Sequence, residues 1–247
     1  MPTPRLEACL VGSTVRDVTI GFLHTADVHV GTFTRLVDEL SPETATGHVV
    51  DATLLADAQV RGVVDGDLRD RLIVRLEESA RGSDVVVCTC STISGAAEGL
   101  AGVIGTPFVR IDRPMAERAI ATGSSIALVA VLRSTIGPTT ALLSQAADAR
   151  GVQLSISPIV CEDAWQHFQS GRMDDYLCAV AAAVDGIDFE VDAVVLAQAS
   201  MAPASQLTRI SAPVLSSPRL AVEAALALVG RADRPMPSGS DRSDLAS

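Results

Sequence analysis

Small hydroxyl residues surround two cysteines at the end of a short apolar run in segment 84–94, DVVVCTCSTIS. The consecutive valines at 85–87 predict a strand that is buried on both faces. The residues after it then form the loop at the carboxyl end of the strand, where open parallel α/β sheets bind their ligands. A thiol there can exchange a proton with a substrate, and hydroxyls can bind an anion. Cys90, Ser91 and Thr92 are therefore the first candidates for chemistry.

Ordinary structural roles compete with this interpretation. A cysteine in an apolar stretch is commonly a small core residue, which is our interpretation of Cys88, Cys161 and Cys178. Cys9 is interpreted as an exposed or partly ordered thiol. The hydroxyls after the strand can also cap the next helix. Capping and anion binding are compatible roles, because helix N-termini attract anions.

A second segment repeats the pattern. Residues 84–90 (DVVVCTC) and 192–198 (DAVVLAQ) align without gaps, and each has an Asp, an apolar strand and a polar residue six positions after the Asp. The repeat predicts an internal duplication in which two equivalent strand ends face one cleft from opposite sides. We therefore expect Cys90 on one wall of the cleft and Gln198 on the other.

Apolar runs alternate with amphipathic segments along the whole chain. Strands are predicted at 18–23, 48–51, 85–88, 107–111, 126–132, 152–160 and 194–196. Helices are predicted at 32–40, 67–79, 94–100, 139–150, 171–183 and 217–229. This alternation is typical of α/β proteins with parallel sheets and right-handed crossovers.

The predicted fold class is α/β, with two pseudo-symmetric Rossmann-like lobes, parallel sheets and a cleft between them. Lobe 1 is assigned to residues 18–113 plus residues 213–230, which include a returning helix, and lobe 2 to residues 114–212. Residues 1–17 form an N-terminal extension in this division. Residues 231–247 are rich in Pro, Ser, Gly and charge, which is typical of a disordered tail.

The overall charge limits the kinds of partner. Thirty acidic and nineteen basic residues give a formal net charge of −11, which argues against nucleic acid and anionic membranes as partners. No apolar run is long enough to span a bilayer, and the first residues do not resemble a signal peptide. Five cysteines without a paired spacing indicate free thiols in a reducing cytoplasm. A homodimer stays open, since many soluble enzymes form one.

The two strand ends carry a family resemblance. The sequence CSTIS at 90–94 is similar to a strand end in the cofactor-independent aspartate/glutamate racemase superfamily, where Cys-Asn-Thr precedes a small residue and Ser. This superfamily includes hydantoin racemases, maleate isomerases and arylmalonate decarboxylases. Its second half usually has a strand ending in Gly-Cys, and here the matching segment at 197–201 is AQASM. The resemblance covers most of residues 18–229 and lacks the second cysteine.

The resemblance implies proton transfer at the α-carbon of a small carboxylate, without a cofactor or a metal. Cys90 is the implied acid or base, and family sites lower the pKa of such a thiol through nearby hydrogen-bond donors. Ser91, Thr92 and Ser200 are implied substrate-binding residues, as are Ser134 and Thr135 in the equivalent turn of the second half. That turn is expected to precede a helix that starts near Pro138, and ordinary turn chemistry explains it equally well.

A second proton-transfer group is missing from the motif, because an amide such as that of Gln198 only donates and accepts hydrogen bonds. His24 ends the first predicted strand and is our candidate for this role, facing the cleft while His29 packs or is solvated. Together with Asp27 the two histidines fall short of a metal ligand set. Trp165 and Phe168 are expected to pack the second lobe.

Three functions remain open at this point. The first is a racemase or isomerase in which two groups exchange the α-proton. The second is a decarboxylase or lyase that needs only one thiol. The third is a protein that binds a carboxylate and catalyses nothing.

Overall fold

Four parallel strands form the first sheet of the computed structural model, which describes residues 18–232. Their order across the sheet is β2-β1-β3-β4, and every neighbouring pair is parallel. The strands are β1 (Thr19–His24), β2 (Ala45–Val50), β3 (Val85–Cys88) and β4 (Phe108–Arg110). The predicted extension with Cys9, and residues 233–247 of the predicted tail, lie outside the described residues.

A second sheet of four parallel strands repeats this order as β6-β5-β7-β8. The strands are β5 (Ser125–Ala130), β6 (Ser155–Val160), β7 (Ala193–Leu196) and β8 (Val214–Ser216). The central strands β3 and β7 are wholly buried, as their unbroken apolar sequences predict. The predicted α/β class with two parallel sheets is therefore confirmed.

Helices cover the faces of both sheets. In the first half they are α1 (Val28–Leu40), α2 (Ala52–Arg61), α3 (Gly66–Ala80), α4 (Ser91–Ile104) and α5 (Arg113–Thr122). In the second half they are α6 (Arg133–Asp148), α7 (Glu162–Gln169), α8 (Met173–Asp185) and α9 (Ser217–Ala232), with a 3₁₀ helix at Ala199–Gln206. Each buries one apolar face, as α3 does with Leu68, Leu72 and Leu76.

The two aspartates of the repeated segment have matching structural roles. Asp84 Oδ2 accepts a hydrogen bond from the amide of Thr19 at 2.9 Å, where β1 begins. Asp192 Oδ2 accepts from the amides of Ser124 and Ser125 at 2.7 and 2.8 Å, where β5 begins. Each carboxylate thus fixes one central strand against its neighbour. This equivalence supports the interpretation of the chain as a duplicated unit.

The structure moves several predicted boundaries. α6 starts at Arg133, so Pro138 lies inside the helix and not at its start. Because proline has no N–H, it donates no hydrogen bond to the carbonyl of Ser134 one turn earlier. Similarly, α4 starts directly at Ser91. β8 pairs with β7, so residues 214–216 belong to the second sheet although the sequence analysis grouped them with lobe 1. Such a short strand carries too little pattern to be recognised.

The last helix returns to the first sheet. Ala221, Val222, Ala225 and Val229 of α9 are buried in the same apolar cluster as the inward side chains of β1 and β3. Residues 231 and 232, assigned to the tail from the sequence, continue this helix. Among residues 18–232, no helix is long and apolar enough to cross a membrane.

A buried ion pair lies where the two halves meet. Arg110 at the end of β4 is 6% exposed and Asp112 is fully buried. Arg110 donates to the two carboxylate oxygens of Asp112 at 2.6 and 3.1 Å, and its Nη2 also donates to the carbonyl of Pro138 in α6 at 3.3 Å. The guanidinium lies over Gly95, where an added Cβ would come within 3.2 Å of it. One side chain thus connects lobe 1 to α6.

Removing the positive member of this pair should destabilise the fold. Arg110→Ala leaves the buried Asp112 carboxyl without its partner, and we expect the free energy of unfolding to fall by about 3–5 kcal/mol in urea denaturation. The double variant Arg110→Met/Asp112→Leu removes both charges and should unfold closer to wild type. Equal losses in the two variants would show that packing, and not the unpaired charge, sets the cost.

Candidate active site

The carboxyl ends of β1, β3, β5 and β7 surround a cavity of about 50 Å³ between the two halves. Residues from both sheets line it. Lobe 1 contributes Thr25, Ala26, His29, Leu55, Thr89, Cys90, Ser91 and Thr92, and lobe 2 contributes Leu132, Thr135, Trp165, Phe168, Gln198, Ala199 and Ser200. Cys90 and Gln198 thus line the same cavity. Each stands two residues beyond the end of its strand.

Cys90 occupies the N-cap position of α4, directly before Ser91. It is 8% exposed, and burial raises the pKa of its thiol. The hydroxyl of Thr25 and the amides of Ile93 and Thr92 oppose that increase in pKa, because each can donate to a thiolate. The neutral thiol is therefore the resting form, which differs from the lowered pKa expected from the resemblance. Burial outweighs the donors in the unliganded site.

Unused hydrogen-bonding capacity lies beside the thiol. The hydroxyl of Ser91 lines the cavity, is buried and has no hydrogen-bond partner among residues 18–230. Buried polar atoms are normally partnered, so this hydroxyl is available to a ligand. As at any helix N-terminus, the first amides of α4 point out of the helix, and such ends attract anions. Thr92 lines the cavity as well.

The second half contributes hydroxyls and one amide. Val131 donates its backbone N–H to Gln198 Oε1 at 2.9 Å, which holds the side-chain amide in one orientation. The hydroxyls of Ser200 and Tyr176 share a hydrogen bond at 2.7 Å. Thr135 lines the cavity and donates its hydroxyl to the carbonyl of Leu132 at 2.8 Å. Ser134 is not among the lining residues.

The two histidines are placed opposite to the sequence-based expectation. His24 is fully buried behind the cavity and is not among its lining residues, whereas His29 lines it. The reason is the start of α1, which the structure places at Val28, four residues before the predicted start. His29 therefore lies in the first turn of this helix and reaches the cavity. Burial lowers the pKa of His29 to about 4, so its imidazole is neutral at pH 7.

His24 belongs to a hydrogen-bond chain of neutral groups. Thr89 donates its hydroxyl to the carbonyl of Leu23 at 3.1 Å, so it accepts from His24 Nδ1 at 2.8 Å. The remaining nitrogen, His24 Nε2, then accepts from His48 Nδ1 at 2.9 Å. Burial lowers the pKa of His24 to about 3, and nearby His29 and His48 act in the same direction. His24 thus supports the loop before Cys90 from behind.

An aromatic pair forms one wall of the cavity. The rings of Trp165 and Phe168 stack with centroids 4.9 Å apart and an interplanar angle of 13°. The ring of Phe168 also contacts buried Tyr176, at 5.3 Å. Trp165 and Phe168 do pack in the second lobe, as expected, but they also line the site, which the sequence analysis did not predict. They lie three residues apart on α7, which sequence reasoning could have recognised as one helix face.

The cavity lining contains no Lys, Arg, Asp or Glu. Among the lining side chains, the thiol of Cys90 and the imidazole of His29 are the groups whose ordinary pKa values are nearest to neutrality. In the described part of the chain, no three His, Cys, Asp or Glu residues come together as a metal-binding group. The site therefore combines one thiol, one imidazole, several hydroxyls and an apolar wall.

Solved structures that share this architecture include racemases. No protein-family model and no curated protein sequence matches the chain. Glutamate racemase RacE1 from Bacillus anthracis has a TM-score of 0.64 at 13% identity, over 87% of this chain and 83% of that chain. Aspartate racemase from Picrophilus torridus has a TM-score of 0.64 at 13% identity, covering 86% and 94%. The chain has the racemase fold. Allantoin racemase from Klebsiella pneumoniae shares it, with a TM-score of 0.59 at 14% identity, covering 93% and 96%.

Alkylation can test the environment of Cys90 within the racemase fold. Cys178 is exposed, so its interpretation as a core residue is wrong. Because burial raises the pKa of the Cys90 thiol, we expect iodoacetamide to modify Cys90 more slowly than Cys178 at pH 7.5. The rate at Cys90 should rise with pH and reach half its maximum above pH 9. Site-resolved mass spectrometry measures both rates in one sample. Faster modification of Cys90 at neutral pH would contradict the dominance of burial.

The buried histidines should make the protein sensitive to acid. Unfolded His24 binds a proton below about pH 6.5, but the folded residue does so only near pH 3, so stability is full above pH 6.5 and falls between pH 6.5 and 3. At pH 5 this residue alone should cost about 2 kcal/mol of unfolding free energy. His24→Asn should flatten the decline, which urea titrations from pH 7 to 5 measure. An unchanged slope would show that His24 is protonated in the folded state.

Proposed function

We propose that this protein is a cofactor-independent enzyme that transfers a proton at the α-carbon of a small carboxylate, with racemisation or isomerisation as the reaction. The observation that carries the proposal is the position of Cys90, at the amino end of α4 in a cavity shared by both halves. The fold shared with glutamate, aspartate and allantoin racemases supports it.

The amino end of α4 is the binding site for the carboxylate in this proposal. Its first amides and the unpartnered hydroxyl of Ser91 donate to the two oxygens, with Thr92 beside them. Across the cavity, Thr135, Gln198 and Ser200 supply polar groups for the rest of the molecule. Removal of an α-proton moves negative charge onto the carboxylate, so the same donors stabilise the enediolate more strongly than the substrate.

Two groups carry the proton in the racemase version of the proposal. The neutral imidazole of His29 takes the α-proton, and the electrons of the C–H bond move into the carboxylate to form the enediolate. The Cys90 thiol returns a proton to the opposite face, leaving a thiolate and an imidazolium that serve the reverse reaction. The resting protonation states fit, because burial keeps His29 neutral and the thiol protonated. The role first given to His24 thus passes to His29.

Gln198 favours a second candidate. It stands at the equivalent strand end, where the resembling family usually has its second cysteine, and its amide has no proton to transfer at neutral pH. A decarboxylase needs only Cys90, which would protonate the enediolate left after carbon dioxide departs.

The described cysteines are unpaired, which supports a reducing compartment such as the cytoplasm for either enzyme.

Proton NMR in heavy water tests both candidates. Wild type is incubated with aspartate, glutamate, phenylglycine, hydantoins, maleate and substituted malonates, and we expect deuterium at Cα or loss of carboxylate in at least one of them. Cys90→Ala should lower the rate of inversion or of carboxylate loss by at least about 10²-fold, since it removes the acid that completes either reaction. Cys161→Ala is the matched control, because Cys161 is also a helix N-cap but lies outside the cavity lining.

The outcomes separate three functions. Deuterium with inversion that depends on Cys90 supports a racemase, and loss of carboxylate supports the decarboxylase. If a carboxylate protects Cys90 from alkylation but no substrate changes, the protein binds carboxylates without catalysis. Equal activity of wild type and Cys90→Ala would contradict the proposed role of the thiol.

A further inference from the structure

The apolar wall distinguishes one end of the cavity from the other. The polar donors lie at the ends of β3 and β7, whereas the stacked rings of Trp165 and Phe168 project from α7. Leu55 and Leu132 add aliphatic surface to the same cavity. A ligand that binds both regions needs one charged end and one apolar end. Flat groups gain most from such a wall, because aromatic rings prefer to stack or meet edge to face.

The cavity offers no counter-ion to a second negative charge. Its lining has no Lys or Arg, and burying an unpaired carboxylate is costly. The nearest alternative is a separate, neighbouring cavity of about 330 Å³ that is lined by Arg35 and Arg219. Arg219 there donates to Glu39 at 2.7 Å. The two cavities share His29, Ala199 and Ser200, so a long diacid is a clear competing ligand to test.

We infer that the substrate is a monocarboxylate whose α-carbon carries a flat, apolar group, and that this group packs against Trp165 and Phe168. That this ligand is a substrate rests on the proposed function, but its binding to the cavity does not depend on proton transfer. A cavity of about 150 Å³ is known to hold benzene, so a ring must widen this cavity of about 50 Å³ as it binds. Binding should therefore change the surroundings of the wall residues Trp165 and Phe168.

Trp165 is the one tryptophan in the sequence, so intrinsic tryptophan fluorescence reports on the wall. The titration uses full-length Cys90→Ala protein, which lacks the proposed proton donor, with phenylacetate, acetate and succinate as probes. We expect phenylacetate to change the fluorescence saturably, with a Kd at least tenfold below those of acetate and succinate. Succinate binding more tightly than phenylacetate would overturn the inference, as would an unsaturable response.

Variants of the wall provide the control. Phe168→Ala, and Phe168→Leu as the milder change that keeps the apolar volume, should weaken phenylacetate at least fivefold without affecting acetate. Phe189→Ala is the matched control, because Phe189 is 44% exposed and lies outside the cavity lining. Unchanged phenylacetate affinity in both Phe168 variants would overturn the inference. So would succinate binding that Arg35→Ala abolishes, since the neighbouring cavity would then select the ligand.

Failure of this inference and failure of the proposed function have different signatures. If phenylacetate binds as expected but wild type exchanges the α-proton of no acid, the wall is supported and the proposed activity is wrong. If aspartate exchanges its α-proton faster than phenylglycine does, the activity is supported and the proposed substrate class is wrong.

Discussion

Parallel pairing of buried central strands is the constraint on which the site depends. Because β1 and β3 run the same way, their carboxyl ends meet the amino end of α4 at one edge. The second sheet repeats this arrangement with β5 and β7. At the opposite ends of the strands, Asp84 joins β3 to β1 and Asp192 joins β7 to β5 by accepting hydrogen bonds from backbone amides. Two equivalent edges then face each other, and the contact of Arg110 with the carbonyl of Pro138 joins the halves there.

Burial without charge gives this cavity its chemical character. The Cys90 thiol and the His29 imidazole are both neutral at rest, since burial raises the pKa of the first and lowers that of the second. The donors around the sulfur become useful once negative charge forms, on the thiolate or on a bound carboxylate. The site therefore holds its hydrogen-bond donors in place before any charge arrives. An apolar wall beside these donors strengthens each interaction by excluding water.

The sequence predicts the strand ends that form the site better than the other residues that line the cavity. The unbroken valines of β3 and the repeated Asp-plus-six spacing are local patterns, so the amino-acid sequence alone assigns Cys90 and Gln198 to strand ends. Which histidine reaches the cavity depends on where α1 starts. Its N-cap is Asp27, a residue type that favours this position, but the helical spacing of apolar residues begins only at Phe33 and set the predicted start too late. Trp165 lines a cavity to which both lobes contribute, and local periodicity does not report contacts between lobes.

Enantiomer-resolved exchange at Cα tests the central claim most directly. Each enantiomer of an exchanging substrate is incubated separately in heavy water with Cys90→Ala and His29→Gln, and deuterium is measured before any inversion. The proposed roles of His29 and Cys90, acting on opposite faces of Cα, predict that neither variant racemises, while each retains exchange of a different enantiomer. The account would be contradicted if His29→Gln racemised the substrate at the wild-type rate. So would loss of exchange for the same enantiomer in both variants, since one face would then carry all of the chemistry.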